Sequence, residues 1–297
     1  TITYYAESDG KEMDVGFSTL TITVNPVADA PEIPAENVVT PEDTVVPLAS
    51  DTENGLTPPQ IVDKDTLYGP DGHVDYHERL GEITLSGFPK GSQLQLKNGS
   101  VIKTFGTDNG SVTIKLTDGV DSDYHINGVT ADRSLTLEEY KHLQILPPKN
   151  SHKNFTVTVS ATSYEVDKSG NILKDSENNE IPGAQNSADI EVKVLAVTDK
   201  IDSFKIADSD SYTLSIDEDT NYNLSNLLTA EFDDLDGSEK RWIVIKNPNG
   251  NKSIFVNGNN EVKGGESFTV EAPGLSESES GFPEINIRGD KDYSGEI

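Results

Sequence analysis

The sequence predicts an all-β protein built from consecutive β-sandwiches, and three observations predict it. Apolar and polar residues alternate strictly along "STLTITVNP" (18–26), "NFTVTVSAT" (154–162) and "ADIEVKVLAV" (188–197). Period-two runs bounded by Asn, Asp, Gly and Pro are half-buried strands. A single stretch reads as helical, "SLTLEEYKHLQIL" (134–146), where Thr136 or Ser134 can cap one turn. The chain also repeats itself, with its landmarks in the same order twice.

The repeat supplies the elements in order. "TITYYA" (1–6) is a strand, a loop follows (7–16), and "FSTLTITV" (17–24) is a second strand. "STLTITVNPVADAPEI" (18–33) corresponds to "ADIEVKVLAVTDKIDSF" (188–204), each a strand running into a short acidic link. "TPEDTVVPL" (40–48) corresponds to "IDEDTNYNL" (216–224), and "IVDKD" (61–65) to "FDDLDGSE" (232–239). "GEITLSGFPKGSQL" (81–94) corresponds more loosely to "KRWIVIKNPNGNKSI" (240–254). "GTDNGSV" (106–112) reads as a hairpin turn through Asn-Gly, and Trp242 and Phe255 as core. "LQILPPKNSHKNF" (143–155) corresponds to "EINIRGDKDYSGEI" (284–297). Setting Ile145 on Ile287 places Phe155 on Ile297 without a gap, and the first unit continues as "TVTVSA" (156–161), the match of "TITYYA".

Three parts follow. Residues 1–29 are the last two strands of a preceding or split sandwich plus a linker. Residues 30–198 are a complete sandwich with polar inserts at 66–77 and 105–133. Residues 199–297 are a sandwich lacking its last two strands. Residues 1–25 are therefore expected to pair with a body like 199–297, by strand exchange with another chain if not within this one.

Composition narrows the function. Fifty-two acidic residues stand against 23 basic ones, a formal charge of −29. Nucleic-acid binding needs the opposite sign, because its affinity comes from neutralising phosphates, and an anionic membrane surface is disfavoured for the same reason. No stretch approaches the roughly 20 apolar residues of a membrane-spanning helix, so no membrane insertion is expected. The absence of cysteine removes disulfides, zinc-thiolate sites and thiol nucleophiles. A compact fold carrying this self-repulsion needs screening: bound cations are one answer and a salty medium another, while acids spread over a solvated surface are the plainer reading.

The acids gather at the links between units. Near the first stand Asp29, Glu42, Asp63 and Asp65; near the second stand Asp199, Glu218, Asp219, Asp234, Asp236 and Glu239. Asp9 and Asp167, in equivalent hairpin loops, can add an oxygen from the other side. The spacings are too long for an EF-hand loop and suit Ca²⁺ ligands converging from separate loops. Elsewhere, "DGHVDYHE" places His73, Asp75, His77 and Glu78 close together, a pattern for a transition-metal site or a solvated polar loop. The motifs GxSxG, P-loop and HExxH are missing, so no enzyme is expected.

"VNPVADAPEI…PEDT", "DDLDGSE", "LSGFPKGSQL" and "LTLEEYKHLQILPPKN" together resemble the cadherin-like, immunoglobulin-like tandem repeats of bacterial RTX-type adhesins, over most of 18–297. The resemblance implies Greek-key sandwiches that bind Ca²⁺ and hold adhesive domains away from the cell surface. It places acidic ligands on Glu42, Asp63 and Asp65, and on Glu218, Asp234, Asp236 and Glu239. The first unit interrupts the "DxDGSE" pattern, so Asp75 and Glu78 of "DYHE" stand as alternatives to Asp63 and Asp65. The implied role is a secreted, cell-surface spacer and scaffold for attachment and biofilm formation, its partners being neighbouring domains of one long chain and, through them, a host or surface ligand. Two other roles fit the sequence: a module binding a peptide or glycan through 66–77 and 105–133, and an accessory domain of a secreted hydrolase.

Overall fold

A computed structural model describes the chain except residues 1, 9–10, 19, 21, 23–25, 50–54, 63–76, 118–123, 125, 168, 200, 209–211, 233, 235, 239, 249–251, 273–281 and 296–297, and except the side chains of 2–18, 77, 201 and 232. The fold is all-β. In chain order the strands are β1 (Ile2–Ser8), β2 (Lys11–Ser18), β3 (Val38–Pro41), β4 (Val46–Pro47), β5 (His77–Phe88), β6 (Gln93–Gln95), β7 (Val101–Thr104), β8 (Gly110–Leu116) and β9 (Arg133–Leu135). Helix α1 (Leu137–Lys141) precedes β10 (Gln144–Leu146), β11 (Phe155–Val166) and β12 (Ala184–Leu195). Then come β13 (Ile201–Ile206), β14 (Tyr222–Asn223), β15 (Leu228–Phe232), β16 (Arg241–Lys246), β17 (Ile254–Val256), β18 (Asn260–Val262), β19 (Ser267–Ala272) and β20 (Asn286–Gly289). Thr136 caps α1 in a reciprocal capping box with Glu139.

Two sheets sandwich the first core. One runs β3-β12-β11-β5-β8-β9 and the other β4-β10-β6-β7. Inward residues of both, among them Ile83, Leu85, Val159 and Ile190 facing Leu94, Ile102 and Ile145, form one buried cluster. Phe105, just past β7, stacks on Phe88 with ring centroids 4.2 Å apart. That contact carries the chain across the core from one sheet to the other. The turn at 106–109 therefore joins two sheets rather than closing a hairpin, contrary to the sequence expectation. Residues 110–116, expected within a polar insert, are core strand β8, with Val112 and Ile114 fully buried.

β-bulges adjust the register of β5. Between Leu80 and Ile83 the pairing with β11 shifts, so inward positions change from even (Glu78, Leu80) to odd (Ile83, Leu85) numbers. A second shift lies at Gly87, whose φ is +90° and whose added Cβ would meet the Thr156 carbonyl oxygen at 2.2 Å. Gly87→Ala should therefore lower stability by about 1–3 kcal/mol, the usual cost of a strained backbone position, as a reduced urea midpoint with unchanged slope would show.

The second body reproduces the first in register. Val46 pairs with Ile145 as Tyr222 pairs with Ile287. The Leu48 N–H donates to the Leu143 carbonyl (2.9 Å) as that of Leu224 does to Ile285 (2.7 Å). The Asn150 N–H donates to Asp43 (2.8 Å) as that of Asp292 does to Asp219 (3.0 Å). The sheet order β14-β20-β17-β18 repeats β4-β10-β6-β7. Two things differ. Among the described residues β16 pairs only with β19, whereas its counterpart β5 pairs with both β8 and β11. Residues 214–217, the counterpart of β3, are not a strand. Among the described residues the buried cluster is Leu228, Val256, Val262 and Ile285, and Ile243 and Ile245 are half-buried. Trp242, expected in the core, is 57% exposed, because alternation along β16 turns Ile243 and Ile245 inward and Trp242 outward.

β1 and β2 form a separate two-stranded sheet, so most of the expected loop 7–16 is strand. Of the strand expected over 18–26, Ser18 closes β2, and residues 19, 21 and 23–25 lie outside the described residues. Leu20 and Ile22 are described outside any strand and are exposed. Asp9 lies outside the described residues.

Candidate metal centre

Glu42, Asp234 and Asp236 meet where the two bodies join, each offering a carboxylate oxygen within 4.8 Å of the others. Glu42 is 3% and Asp234 2% exposed. The sequence groups Glu42 with the first link, but the fold takes it to the second. β3 runs parallel to β12, so the turn after β3 emerges where the chain leaves the first body. There the Glu42 N–H donates to the Leu195 carbonyl (2.9 Å), and Glu42 Oε1 accepts from the Val197 N–H. Asp43, at φ 53°, turns the chain back.

The second body supplies the opposite wall. Asp234 Oδ1 accepts from the Asp236 N–H (2.8 Å), and Asp236 Oδ1 from the Ser238 N–H (2.8 Å). Gly237, at φ +86°, permits the turn. Asp236 Oδ2 reaches the first body, accepting from the His152 N–H (3.0 Å) and bonding to His152 Nδ1.

Three carboxylates this close, two of them nearly sealed from water, require a counter-charge. Ca²⁺ suits an all-oxygen set and takes six to eight ligands. Asp199, half-buried two residues past Val197, stands nearby in the chain. His152 is a basic group of the protein at the site. Its hydrogen bond to Asp236 raises its pKa against the opposing effect of burial, helped by the charges of Asp236, Glu42 and Asp234. Burial pushes Asp236 up, but hydrogen bonds from His152 and Ser238 outweigh it and bring the carboxyl to about 2.

These shifts set a pH window for the metal-free protein. His152 binds its proton more tightly when folded, so its contribution is complete below its ordinary value of about 6.5 and fades as pH rises through the raised one. Asp236 holds its proton less tightly when folded, so its contribution is complete above 3.8 and fades as pH falls toward about 2. In chelator, stability should therefore peak between about pH 4 and 6.5, and His152→Gln should flatten the decline above that range in urea unfolding at several pH values.

A second acidic group sits at the other end of the first body. The Asp29 N–H donates to Glu78 Oε1, and the Asp29 carbonyl accepts from Ser163 Oγ. Glu78 and Glu165 face each other across β5 and β11, both buried. Glu165, Ser163 and His152 were missed in the sequence. Glu165 had a legible signal: Val157, Val159, Ala161 and Ser163 share its parity on β11 and all are buried. Asp63, Asp65, Asp75, His73 and Glu239 lie outside the described residues. Glu218 is exposed, beside the Asp219–Asp292 contact. Asp167 is engaged in its own turn, accepting from the Ser169 N–H and from the N–H and Nδ2 of Asn171. Those bonds, led by Asn171, hold its pKa below the usual carboxylate range.

The described part of the 105–133 region borders a shallow cleft of about 360 Å³ lined by Lys103, Asp132 and Arg133. Its cations brace the fold. Lys103 Nζ donates to the Ser111 carbonyl (2.6 Å), and Arg133 donates to the Ile102 carbonyl through Nε (3.2 Å) and a terminal nitrogen (3.0 Å). Among the described residues no helix is long and apolar enough to cross a membrane.

No family model matches the chain, and no curated protein matches it. Among solved structures, the CsuC–CsuE chaperone–tip adhesion subunit pre-assembly complex from archaic chaperone-usher Csu pili of Acinetobacter baumannii aligns over 90% of this chain and 96% of that one. The identity is 10% and the TM-score 0.24.

Proposed function

We propose that this chain is a calcium-stiffened extracellular segment of a large bacterial RTX-type adhesin. It acts as spacer and scaffold, presenting neighbouring ligand-binding domains for attachment and biofilm formation, and has no catalytic role. One observation carries this reading: Glu42 from the first body converges with Asp234 and Asp236 from the second. Carboxylates gathered from both sides of a link repel when metal-free and bind together around a cation, which makes the link's stiffness depend on Ca²⁺. The excess of acidic residues fits such a role. The buried Glu78–Glu165 pair beside Asp29 supports extending the same reading to the first link.

Thermal unfolding in Ca²⁺ and in chelator, at matched ionic strength, tests it. Ca²⁺ at a hundredfold excess over Kd should stabilise the folded chain by about 2.7 kcal/mol, and Mg²⁺ at the same concentration should do much less, because it demands a tighter octahedral shell. Equal melting temperatures in Ca²⁺ and chelator would refute the reading.

A further inference from the structure

We propose that the cleft where β7 meets β8 and β9 binds a single carboxylate-bearing sugar residue, a uronate or a sialate, at the end of a glycan.

The cleft forms where the edges of the first body's two sheets come together. β7 is the outer strand of one sheet and β9 of the other. Arg133 of β9 bridges them by donating to the Ile102 carbonyl of β7. The volume is about 360 Å³. That is the small end of the roughly 300–1,000 Å³ of ligand clefts, which suits one ring. Val101, 52% exposed, gives it an apolar rim.

Its polar groups are held in place without being used up. Among the described residues, Lys103 Nζ donates to the Ser111 carbonyl (2.6 Å) and to Asp132 Oδ2 (3.5 Å), two of its three protons. Arg133 spends Nε and one terminal nitrogen on Ile102, and the other terminal nitrogen on the Asp132 carbonyl (3.0 Å), three of its five N–H groups. Asp132 Oδ2 accepts from the Thr113 N–H (3.2 Å), while Oδ1 keeps its full capacity to accept. The Thr113 bond, and then the Lys103 charge, hold the Asp132 carboxyl below the usual carboxylate range, so it only accepts. Donors on two cations thus stand beside one carboxylate acceptor. Because their positions are already fixed, binding costs little further side-chain ordering.

This set selects the ligand. Two cations outnumber one carboxylate, so the complement carries one negative charge, and a guanidinium fork matches a carboxylate. Asp132 Oδ1 calls for a hydrogen-bond donor, which a carboxylate lacks and a sugar hydroxyl supplies. An acid and a hydroxyl on one ring satisfy both. A polyanion is disfavoured by the formal charge of −29, whereas a single acid feels mainly the charges within a screening length of about 8 Å. An extended peptide would add to β7 through backbone groups, but the Ile102 carbonyl on that edge is already taken by Arg133.

Two-dimensional ¹H–¹⁵N NMR of the full chain tests this, at fixed free Ca²⁺ and ionic strength. The titrants are sodium D-galacturonate, sodium N-acetylneuraminate, D-galactose and sodium acetate. A ligand of about a dozen heavy atoms reaches a Kd near 1 mM at ordinary ligand efficiency. At least one acidic sugar should therefore give saturable shifts with a Kd of about 1 mM, centred on the amides of Lys103, Thr104, Thr113 and Arg133. D-Galactose, which lacks the acid, and acetate, which lacks the hydroxyls, should each bind roughly tenfold more weakly or worse, the effect of losing a hydrogen bond to a charged group. Arg133→Lys, which keeps the charge but loses the fork, and Lys103→Met, which keeps the stem but loses the charge, should each weaken the acidic sugar by a similar factor. No saturable shift at these amides with either acidic sugar up to about 20 mM, equal affinity for galactose or acetate, or undiminished affinity in both variants would each overturn the proposal.

Discussion

Asp234→Asn should remove most of the calcium-dependent rise in melting temperature while leaving the metal-free protein at least as stable as before. Asp234 is almost wholly buried beside Glu42 and Asp236, so its charge is tolerated only with a cation nearby. The Asn side chain keeps an oxygen for the Asp236 N–H that Asp234 Oδ1 accepts at 2.8 Å. The substitution thus removes charge with little change of shape. With calcium in hundredfold excess, the variant should lose the larger part of about 2.7 kcal/mol. At roughly 2–4 °C per kcal/mol, that is a melting shift of several degrees by scanning calorimetry. An unchanged calcium response would move the metal away from this cluster.

Glu165→Gln should change sign with calcium. Glu78 and Glu165 are directly opposed on neighbouring strands and both are buried, an arrangement that is unfavourable for like charges. In chelator the neutral variant should be more stable by on the order of 1 kcal/mol. In saturating calcium it should be less stable by on the order of 2 kcal/mol, because the site has lost a charged ligand. Urea midpoints of both proteins under both conditions decide this. A shift in the same direction under both would mean that the pair does not meet a cation.

The alternation of "NFTVTVSAT" and "ADIEVKVLAV" made β11 and β12 legible, because each strand has one face in the core and one in water. The capping box of α1 was legible through Thr136 and Glu139. The repeat was legible to the residue: Ile145 and Ile287 hold the same place in the same register. What sequence did not disclose is spatial. That Glu42 faces Asp234 and Asp236 rather than residues of its own unit depends on β3 running parallel to β12, a pairing between residues about 150 apart. That Phe105 crosses the core depends on Phe88 waiting there. Trp242 was misplaced because aromatic character outweighed parity, and on β16 parity decides. The Glu78 orientation depends on a bulge, which leaves no composition signal beyond Gly81.

The central claim is that a cation holds the two bodies together through Glu42, Asp234 and Asp236. Small-angle X-ray scattering of the chain, in calcium and in chelator, tests it most directly. The account predicts a single extended, stiff particle in calcium and a broader distribution of distances, with a flexible hinge between the bodies, in chelator. Identical scattering in the two conditions would contradict it.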